Sequence, residues 1–296
     1  MRAAVFCHFD KHGIVDDHVI YALRCYRQYF DYICFVSASK LDVRQRTRTS
    51  GFVDRVICRE NIGYDFGSWR EGFESLSHQN YEEIAFINDS CYGPCRNPEI
   101  MLNAGRKLGV DLWGATINRQ FEPHVQSFFM VFGEQLIKSG FASRFWRSVE
   151  PLASKSDIIS TYEMGLSKLV QNEGFSIGAV VDLKQIESHT REVVIEDNEF
   201  DRGSRPLQAS VAARDYILSD DYPNPSQLYW GEMFRRGAPL LKIEVLRDNP
   251  MSAGLVGIAR RLKRDAWFDA GIILRHLERT VTADRFAEIA SAFRSL

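Results

Sequence analysis

The chain has 296 residues, of which 45% are hydrophobic and 26% are charged. This composition supports one large folded core or two smaller ones, and it excludes a disordered, collagen-like or disulfide-stapled chain. With 37 Lys and Arg against 39 Asp and Glu, the formal net charge of −2 does not favour nucleic acid as a partner.

The cysteines and the hydropathy indicate a reducing compartment. The spacing of the six cysteines contains no pair with two residues between them, as a zinc knuckle or a thioredoxin-like site requires. The apolar start Met1–Cys7 is too short for a signal-peptide core, and no later run approaches the roughly 18 apolar residues of a spanning helix. We therefore expect a cytoplasmic protein, with peripheral contact at the inner membrane left open.

Short β-branched or aromatic runs alternate with stretches of helical periodicity in the first half of the chain. The predicted strands cover residues 3–9, 32–37, 53–59 and 84–88, and the predicted helices cover residues 16–30 and 66–76. This alternation predicts an α/β fold, in which a mostly parallel sheet is flanked by helices.

The same pattern continues beyond residue 97. Helices are predicted over 98–108, 134–139, 141–149 and 156–172, and strands over 111–117, 125–132 and 175–181. The charged stretch 196–206 predicts a loop or linker. After it we predict helices over 211–218 and 225–236, an extended piece over 239–246 and a helical tail to residue 296. These elements divide the chain into a domain over 1–195 and a mainly helical C-terminal extension over 196–296.

Polar side chains follow three of the predicted strands. They are His8 and Asp10, then Ser37, and finally Asn88, Asp89 and Ser90. Because the carboxyl ends of parallel strands converge at one sheet edge, these residues predict a ligand site there. The alternative is that they are ordinary turn and helix-capping residues.

A glycine-bearing segment lies between the third strand and the following helix. Its small residues and the free N–H groups of the helix N-terminus suit a diphosphate, although the spacing is neither the dinucleotide fingerprint nor the P-loop. In the alternative, Asp65 only caps the helix while Phe66 and Trp69 fill the core. The candidate ligand contacts in this segment are Asn61, Gly63, Tyr64, Asp65, Ser68 and Arg70.

Six runs of the chain resemble, in the same order, the rhamnan synthesis protein F family of bacterial surface polysaccharide assembly. They are Asn61–Trp69, Asn88–Pro94, Trp113-Gly114, His124–Phe132, Tyr162–Ser167 and Leu246–Pro250. The resemblance implies a glycosyltransferase that moves rhamnose or a related hexose or deoxyhexose from a nucleotide-diphosphate donor. The implied acceptor is a glycan or lipid-linked glycan of O-antigen, lipopolysaccharide or capsule.

A more distant likeness to GT-A glycosyltransferases implies that residues 1–195 form a GT-A-like nucleotide-sugar-binding domain, with residues 196–296 on the acceptor side. In that fold an Asp-x-Asp motif ends a strand, but here Asn88 and Ser90 replace both carboxylates and leave only Asp89. A divalent ion normally takes several oxygen ligands, so the residues leave open whether Mg²⁺ or Mn²⁺ takes part. If an ion is bound, Asp89 is its expected ligand.

The likeness also implies roles for individual residues. Glu163 is the expected catalytic base of an inverting transfer, and Asp89 is the second catalytic candidate; Glu163 could instead form a capping box with Ser160. The expected donor contacts are His8, Asp10, Ser37, Asn61, Gly63, Tyr64, Asp65, Ser68, Arg70, Asn88 and Ser90. The expected acceptor or sugar contacts are Trp113, His124, Gln126, Ser127, Tyr162, Trp230 and Arg247.

Other functions stay open at this point. A catalytically degenerate glycan- or nucleotide-binding module would also fit the lost carboxylates, and a nucleotidyltransferase or nicotinamide enzyme would use a similar sheet. The basic run 260–264, beside Trp267 and Phe268, could rest on anionic lipid, or it could be a solvated helix face.

Overall fold

Strands and helices alternate through the first half of the molecule, as predicted. The computed structural model describes residues 1–76, 81–119, 121–152, 154–183, 224–251, 253–265 and 268–295. The first elements are β1 (Arg2–His8), α1 (Asp17–Tyr26), β2 (Tyr32–Ser37), α2 (Val43–Ser50), β3 (Arg55–Cys58), α3 (Tyr64–Glu74) and β4 (Glu83–Asn88). The sequence analysis missed α2, because this short helix buries only Thr49; Asp42 caps it by accepting a hydrogen bond from Gln45 N.

The middle of the chain completes the sheet. Its elements are β5 (Cys91–Tyr92), α4 (Pro98–Lys107), β6 (Leu112–Asn118), β7 (His124–Val125), β8 (Phe129–Gly133), α5 (Glu134–Lys138), α6 (Phe141–Ser148), α7 (Lys155–Ile158), a π-helical turn (Ile159–Met164), α8 (Gly165–Asn172) and β9 (Ile177–Val181). The single strand predicted over 125–132 is wrong, because the chain leaves the sheet between β7 and β8. There Gln126 bonds Asn224 and Ser127 bonds Glu163, and both of these partners lie outside the sheet.

The C-terminal part is mainly helical. It contains α9 (Pro225–Leu228), α10 (Trp230–Arg235), β10 (Leu241–Lys242), α11 (Ile243–Arg247), α12 (Leu255–Asp265), α13 (Ala270–Thr280) and α14 (Ala283–Arg294). The extended piece predicted over 239–246 is wrong beyond Lys242, since β10 pairs with β5 for two residues and the chain then turns into α11. The predicted linker 196–206, the predicted helix 211–218, the boundary at residue 195 and Trp267 lie outside the described residues.

The large sheet has the strand order β3-β2-β1-β4-β8-β6-β7, and β9 pairs with β6. The β1–β2, β1–β4, β2–β3 and β6–β9 pairs are parallel, whereas β8 is antiparallel to both β4 and β6. Helices cover the sheet, and two hydrophobic cores contain alternate residues of its strands. The expected fold class, a mostly parallel mixed sheet flanked by helices with further C-terminal helices, is confirmed.

A third hydrophobic core joins the C-terminal helices to the sheet domain. Tyr21 of α1 meets Phe268 edge to face with ring centroids 4.9 Å apart, and Tyr92 of β5 belongs to the same cluster. Phe268 is 5% exposed, so it is not available to lipid as the basic-run hypothesis requires. Within the described part of the chain, we find no helix with the length and hydropathy needed to cross a membrane.

Buried aromatic rings fix the helix α3 on the sheet. Trp69 of α3 donates a 3.0 Å hydrogen bond from Nε1 to the carbonyl oxygen of Ile87 on β4, and Trp146 of α6 packs 4.5 Å from the ring of Phe86. These contacts place the N-terminus of α3 beside the carboxyl end of β4.

Candidate functional site

A polar cleft of about 390 Å³ opens at the carboxyl ends of β1 and β4. Because these strands are parallel neighbours, the loops that follow them leave the sheet at the same edge. The remaining walls come from the start of α1, from Lys155 of α7, from β10 and α11, and from α13. The cationic side chains around the cleft are Lys11, Lys155, Lys242, Arg247 and Arg279, and the carboxylates are Asp10, Asp16, Asp89 and Glu244.

The residues after β1 form a fixed polar corner of this cleft. His8 Nε2 lies 3.1 Å from the carbonyl oxygen of Ile14, and His8 Nδ1 lies 2.9 Å from Ser37 Oγ. Burial lowers the pKa of His8 to about 4, so the ring is neutral at physiological pH. Ser37 is fully buried and contacts His8, so its predicted donor contact stays a prediction.

Asp10 lies near His8 and forms an ion pair with Arg279, a residue of the C-terminal part of the chain. Its Oδ2 accepts a 2.7 Å hydrogen bond from Arg279 Nη2, while Oδ1 accepts from the backbone N–H of Ile14. Burial raises the pKa of Asp10, but the bonds from Arg279 and the backbone outweigh it and the pKa lies below its ordinary value. Arg279 also bonds Asp16, which makes it a bridge between two cleft carboxylates.

The Asn88-Asp89-Ser90 segment connects three parts of the chain. Asn88 Nδ2 donates to Asp65 Oδ2 at 2.8 Å, and Ser90 Oγ donates to Asn88 Oδ1 at 2.6 Å. Lys242 Nζ, from β10, donates to Ser90 Oγ at 3.1 Å. The ammonium group of Lys242 therefore lies against the end of this segment.

Asp89 is the carboxyl group at the centre of the cleft edge. Its Oδ2 accepts a 3.0 Å hydrogen bond from the backbone N–H of Phe9. Burial, followed by the negative charge of Asp65, raises the pKa of Asp89 to about 8. At neutral pH Asp89 is therefore largely protonated, and it can donate a hydrogen bond.

The glycine-bearing segment contributes less to the cleft than the sequence predicts. Asp65 reaches Asn88, but Asn61 and Tyr64 are exposed and neither lines the cleft. Gly63 has a φ of 78° and begins α3. The guanidinium of Arg70 bonds the carbonyl oxygen of Val149 and pairs with Glu74, so its diphosphate role stays a prediction.

Arg59 holds this segment in place and was missed by the sequence analysis. Its guanidinium bonds Ser68 Oγ at 3.2 Å, the carbonyl oxygen of Ile62 at 2.6 Å and Glu71 at 2.9 Å. Ser68 is 2% exposed and bonds Arg59, and its donor contact stays a prediction.

Glu163 lies in the π-helical turn and faces the strand break between β7 and β8. Its Oε2 accepts hydrogen bonds from Ser127, one from the backbone N–H at 2.9 Å and one from Oγ. Its Oε1 lies 3.4 Å from His124 Nε2. Burial raises the pKa of Glu163, but the contacts with His124 and Ser127 outweigh it and hold the pKa below its ordinary value. Glu163 is therefore ionised at neutral pH.

His124 complements this carboxylate. The ring is 2% exposed, and its Nδ1 lies 2.7 Å from the carbonyl oxygen of Glu122. Burial lowers the pKa of His124, but contact with Glu163 and the Glu122 carbonyl raises it overall. The sequence-predicted residues Glu163, His124 and Ser127 thus form one cluster.

The Glu163 cluster adjoins the cleft through Phe128, the residue that follows Ser127. The carbonyl oxygen of Phe128 accepts a 3.2 Å hydrogen bond from Asn88 N, and Lys242 Nζ lies 4.7 Å from the centre of the Phe128 ring. Lys242 thereby contacts both Ser90 at the cleft edge and the segment that binds Glu163.

Four of the predicted acceptor contacts are buried or bonded within the protein. Trp113 and Trp230 are 3% and 1% exposed and pack in hydrophobic cores, so neither ring face is open to a sugar. Tyr162 bonds the backbone of Glu150 through its hydroxyl. Gln126 is 4% exposed and bonds Thr116 and Asn224.

Several cleft residues come from the C-terminal part and were missed. Arg247 is the exception, because it was predicted as an acceptor contact. It lines the cleft and pairs with its neighbour Asp248. Lys242, His276 and Arg279 carried no motif, because each lies among apolar or mixed residues and reaches the cleft only through the tertiary fold. Arg279 and Asp10 are 269 residues apart in sequence.

One group of His, Cys, Asp and Glu side chains within the described ranges has the spacing of a metal site. It consists of Asp16, His18 and His276, whose candidate ligand atoms lie within 4.8 Å of one another. Asp89, the expected ligand, is not a member of this group.

Sequence comparison relates the chain to one protein family. The family model for rhamnan synthesis protein F (RgpF) matches residues 33–200. An uncharacterized protein of Sinorhizobium fredii, y4gN, is 29% identical over 154 residues, which is 50% of this chain and 40% of y4gN. Virulence protein VirA of Vibrio anguillarum is 26% identical over 204 residues, which is 67% of this chain and 64% of VirA. The chain thus spans less than two thirds of either relative.

Two solved structures show a weak likeness to this fold. A 4-diphosphocytidyl-2C-methyl-D-erythritol synthase from Anaerococcus prevotii aligns with 74% of this chain and 98% of its own, at 12% identity and a TM-score of 0.39. A cytidylyltransferase from Leptospira borgpetersenii aligns with 76% of this chain and 99% of its own, at 10% identity and a TM-score of 0.35. TM-scores this low do not establish a shared fold.

Proposed function

The chain belongs to the rhamnan synthesis protein F family, and from this membership we infer that it is a glycosyltransferase that uses a nucleotide-diphosphate sugar. The donor sugar is rhamnose or a related hexose or deoxyhexose. The acceptor is a growing bacterial surface polysaccharide, either free or linked to lipid, in O-antigen, lipopolysaccharide or capsule. The observation that carries the proposal is the polar cleft at the sheet edge, which has cationic walls and adjoins an ionised carboxylate cluster.

The donor diphosphate lies against the cationic side of the cleft. Lys242 and Arg247 come from one wall and Lys155 from another, so positive charge faces the leaving group from two directions. Asp89, which holds a proton near neutral pH, does not repel an anionic diphosphate as a carboxylate would. It can instead donate a hydrogen bond to a phosphate oxygen.

Glu163 serves as the base of an inverting displacement. The acceptor hydroxyl oxygen attacks the anomeric carbon, the bond from that carbon to the diphosphate oxygen breaks, and Glu163 takes the hydroxyl proton. His124 and Ser127 keep Glu163 ionised and fix its orientation. The nucleoside diphosphate leaves with the electron pair of the broken bond.

A specific observation favours a second candidate function. Asn88 and Ser90 stand where paired carboxylates would bind a metal, and both side chains already bond to other residues of the protein. A binding module that recognises a nucleotide or glycan without turnover needs the cleft but does not need Glu163.

Release of nucleoside diphosphate tests the proposal. The chain is incubated with uridine, thymidine, guanosine and cytidine diphosphate sugars in the presence of extracted bacterial glycan, and the free diphosphate is measured. We expect release with one nucleotide class, in amounts that depend on the acceptor. Nucleotide binding without any release would support the binding module instead.

A further inference from the structure

Three cleft side chains lie close enough together to hold a metal ion. Asp16 and His18 stand at the start of α1, and His276 lies on α13. Their candidate ligand atoms are within 4.8 Å of one another, and all three residues line the cleft. The cluster therefore links the sheet domain to a C-terminal helix at the rim of the cleft.

His18 offers a ring nitrogen that the protein does not use. The residue is 4% exposed, and Nδ1 has no hydrogen-bond partner among the residues that the structure describes. The ring also interacts with the backbone of Asp89. A neutral imidazole that donates from Nε2 carries its lone pair on Nδ1, and this is the form in which histidine binds a metal.

His276 is oriented in a comparable way. Its Nδ1 lies 2.6 Å from the hydroxyl oxygen of the buried Tyr92, so Nε2 is the nitrogen that faces Asp16, at 3.9 Å from Oδ2. Metal-binding histidines generally use the second nitrogen in this manner, because the hydrogen bond fixes the plane of the ring. Arg279 also donates a hydrogen bond to Oδ2 of Asp16.

We propose that Asp16, His18 and His276 form a binding site for a divalent first-row transition ion of the Zn²⁺ class. Two imidazoles and one carboxylate form a donor set that suits Zn²⁺ better than Mg²⁺. Ligand atoms about 2.1 Å from a tetrahedral ion lie roughly 3.4 Å apart. The candidate ligand atoms are at most 4.8 Å apart, so the binding of an ion would shorten the longest of these distances by at most about 1.4 Å.

Three protein ligands leave one coordination position of a tetrahedral ion open, and the cleft lies beside it. In that position the ion can take an oxygen of the donor diphosphate, and this extension rests on the proposed function. A metal ion bound here would supply positive charge to the diphosphate. In the GT-A likeness, a metal ion held by the two Asp-x-Asp carboxylates supplies that charge, and Asn88 and Ser90 replace both carboxylates here.

Titration of the metal-free full chain with Co²⁺ and Zn²⁺, in the absence of nucleotide, tests the site. We expect one Co²⁺ per chain with the visible absorption bands of a tetrahedral ion, and a higher Tm with Zn²⁺. His276→Ala and the nearly isosteric Asp16→Asn should weaken the binding at least tenfold. His12→Ala, which removes an exposed histidine that does not line the cleft, should leave it unchanged.

The site is refuted if the parent chain shows no saturable binding, or if Asp16→Asn and His276→Ala bind as tightly as the parent. A circular dichroism spectrum of each variant shows whether it is folded, and Asp16→Asn keeps the side-chain volume should His276→Ala fail to fold. Nucleotide binding to the metal-free chain is measured separately. If the parent chain binds nucleotide but no metal, this inference alone is overturned; if it binds metal but no nucleotide, only the proposed function is overturned.

Discussion

Asn88 and Asp65 join the two most distinctive segments of the chain through a 2.8 Å hydrogen bond from Nδ2 to Oδ2. One residue ends β4 and the other lies in the first turn of α3, so the bond holds the helix N-terminus against the sheet edge. Asp65 also contributes the negative charge that helps to keep Asp89 protonated. The bond thereby connects the architecture of the sheet edge to the chemistry of the cleft.

Replacing Glu163 with Gln should remove the proposed base. Because general-base catalysis contributes about 100-fold or more, we expect turnover to fall by at least that factor, while nucleotide affinity stays unchanged. Steady-state release of nucleoside diphosphate and calorimetric binding measure the two effects. Glu122→Gln is the matched control, since Glu122 is exposed and contacts His124 through its backbone carbonyl only. Turnover close to that of the control would remove Glu163 from the mechanism.

Lys242→Met should weaken the binding of nucleoside diphosphates. The substitution removes the ammonium group that donates to Ser90, but it keeps an unbranched apolar side chain near the Phe128 ring. A hydrogen bond to a charged group contributes about 1.5–3 kcal/mol, so we expect the Kd to rise about 10- to 100-fold. Lys107→Met, on the exposed side of α4, is the control for loss of charge. Equal affinities for the two variants would show that Lys242 does not meet the diphosphate.

Asp89→Asn should change how stability depends on pH. Unfolded Asp ionises near about pH 4, and the folded pKa is raised to about 8. Between these values the folded protein holds a proton that the unfolded chain has released. This contribution to stability is complete below the unfolded pKa and is lost as the pH rises through the folded pKa. We therefore expect the Tm of Asp89→Asn to rise relative to that of the parent from about pH 4 to about pH 8, and the difference to level off above about pH 8.

Thermal unfolding of both proteins across this range measures the effect. His8→Asn provides a comparison, because the pKa of His8 is lowered to about 4 and its contribution to stability is lost at acidic pH instead. Parallel Tm curves for Asp89→Asn and the parent would mean that Asp89 is ionised throughout.

Gly72→Ala should destabilise the packing of α3 on the sheet. A Cβ atom at this position would lie 2.3 Å from Val5 Cγ1 and 2.9 Å from Val36 Cγ2. Overpacking of this kind costs about 1–3 kcal/mol, and urea unfolding should show the loss. Gly51→Ala is the control, since its Cβ would meet nothing within 4 Å and its φ is −70°. A Gly72→Ala chain as stable as Gly51→Ala would contradict this packing.

Local sequence signals predicted most of the sheet. The strand over 32–37 matches β2 because five of its six residues are buried on both faces of the sheet and form a continuous apolar run. The helix over 98–108 nearly matches α4, since Asn97 caps it and Pro98 occupies the first turn. The break between β7 and β8 carried no signal, because it depends on Ser127 meeting Glu163 from a distant helix.

The candidate site was only partly predictable for a related reason. His8, Asp10 and Asp89 follow strands, so the parallel topology alone brings them to one edge. Lys242 and His276 arrive there through pairing of β10 with β5 and packing of α13 on α1, and no periodicity reports those contacts. The roles of Glu163 and Asp89 stay predictions until a ligand is bound.

A thermal-shift comparison with nucleoside diphosphates and their sugars tests the central claim most directly. A ligand at about 100 times its Kd adds roughly 2.7 kcal/mol to the folded state, so binding should raise the Tm measurably. We predict a rise with one nucleotide class for the parent and Lys107→Met, and a much smaller rise for Lys242→Met at the same concentration. No rise with any of these nucleotides, or an equal rise in Lys242→Met, would contradict the assignment of the cleft as the donor site.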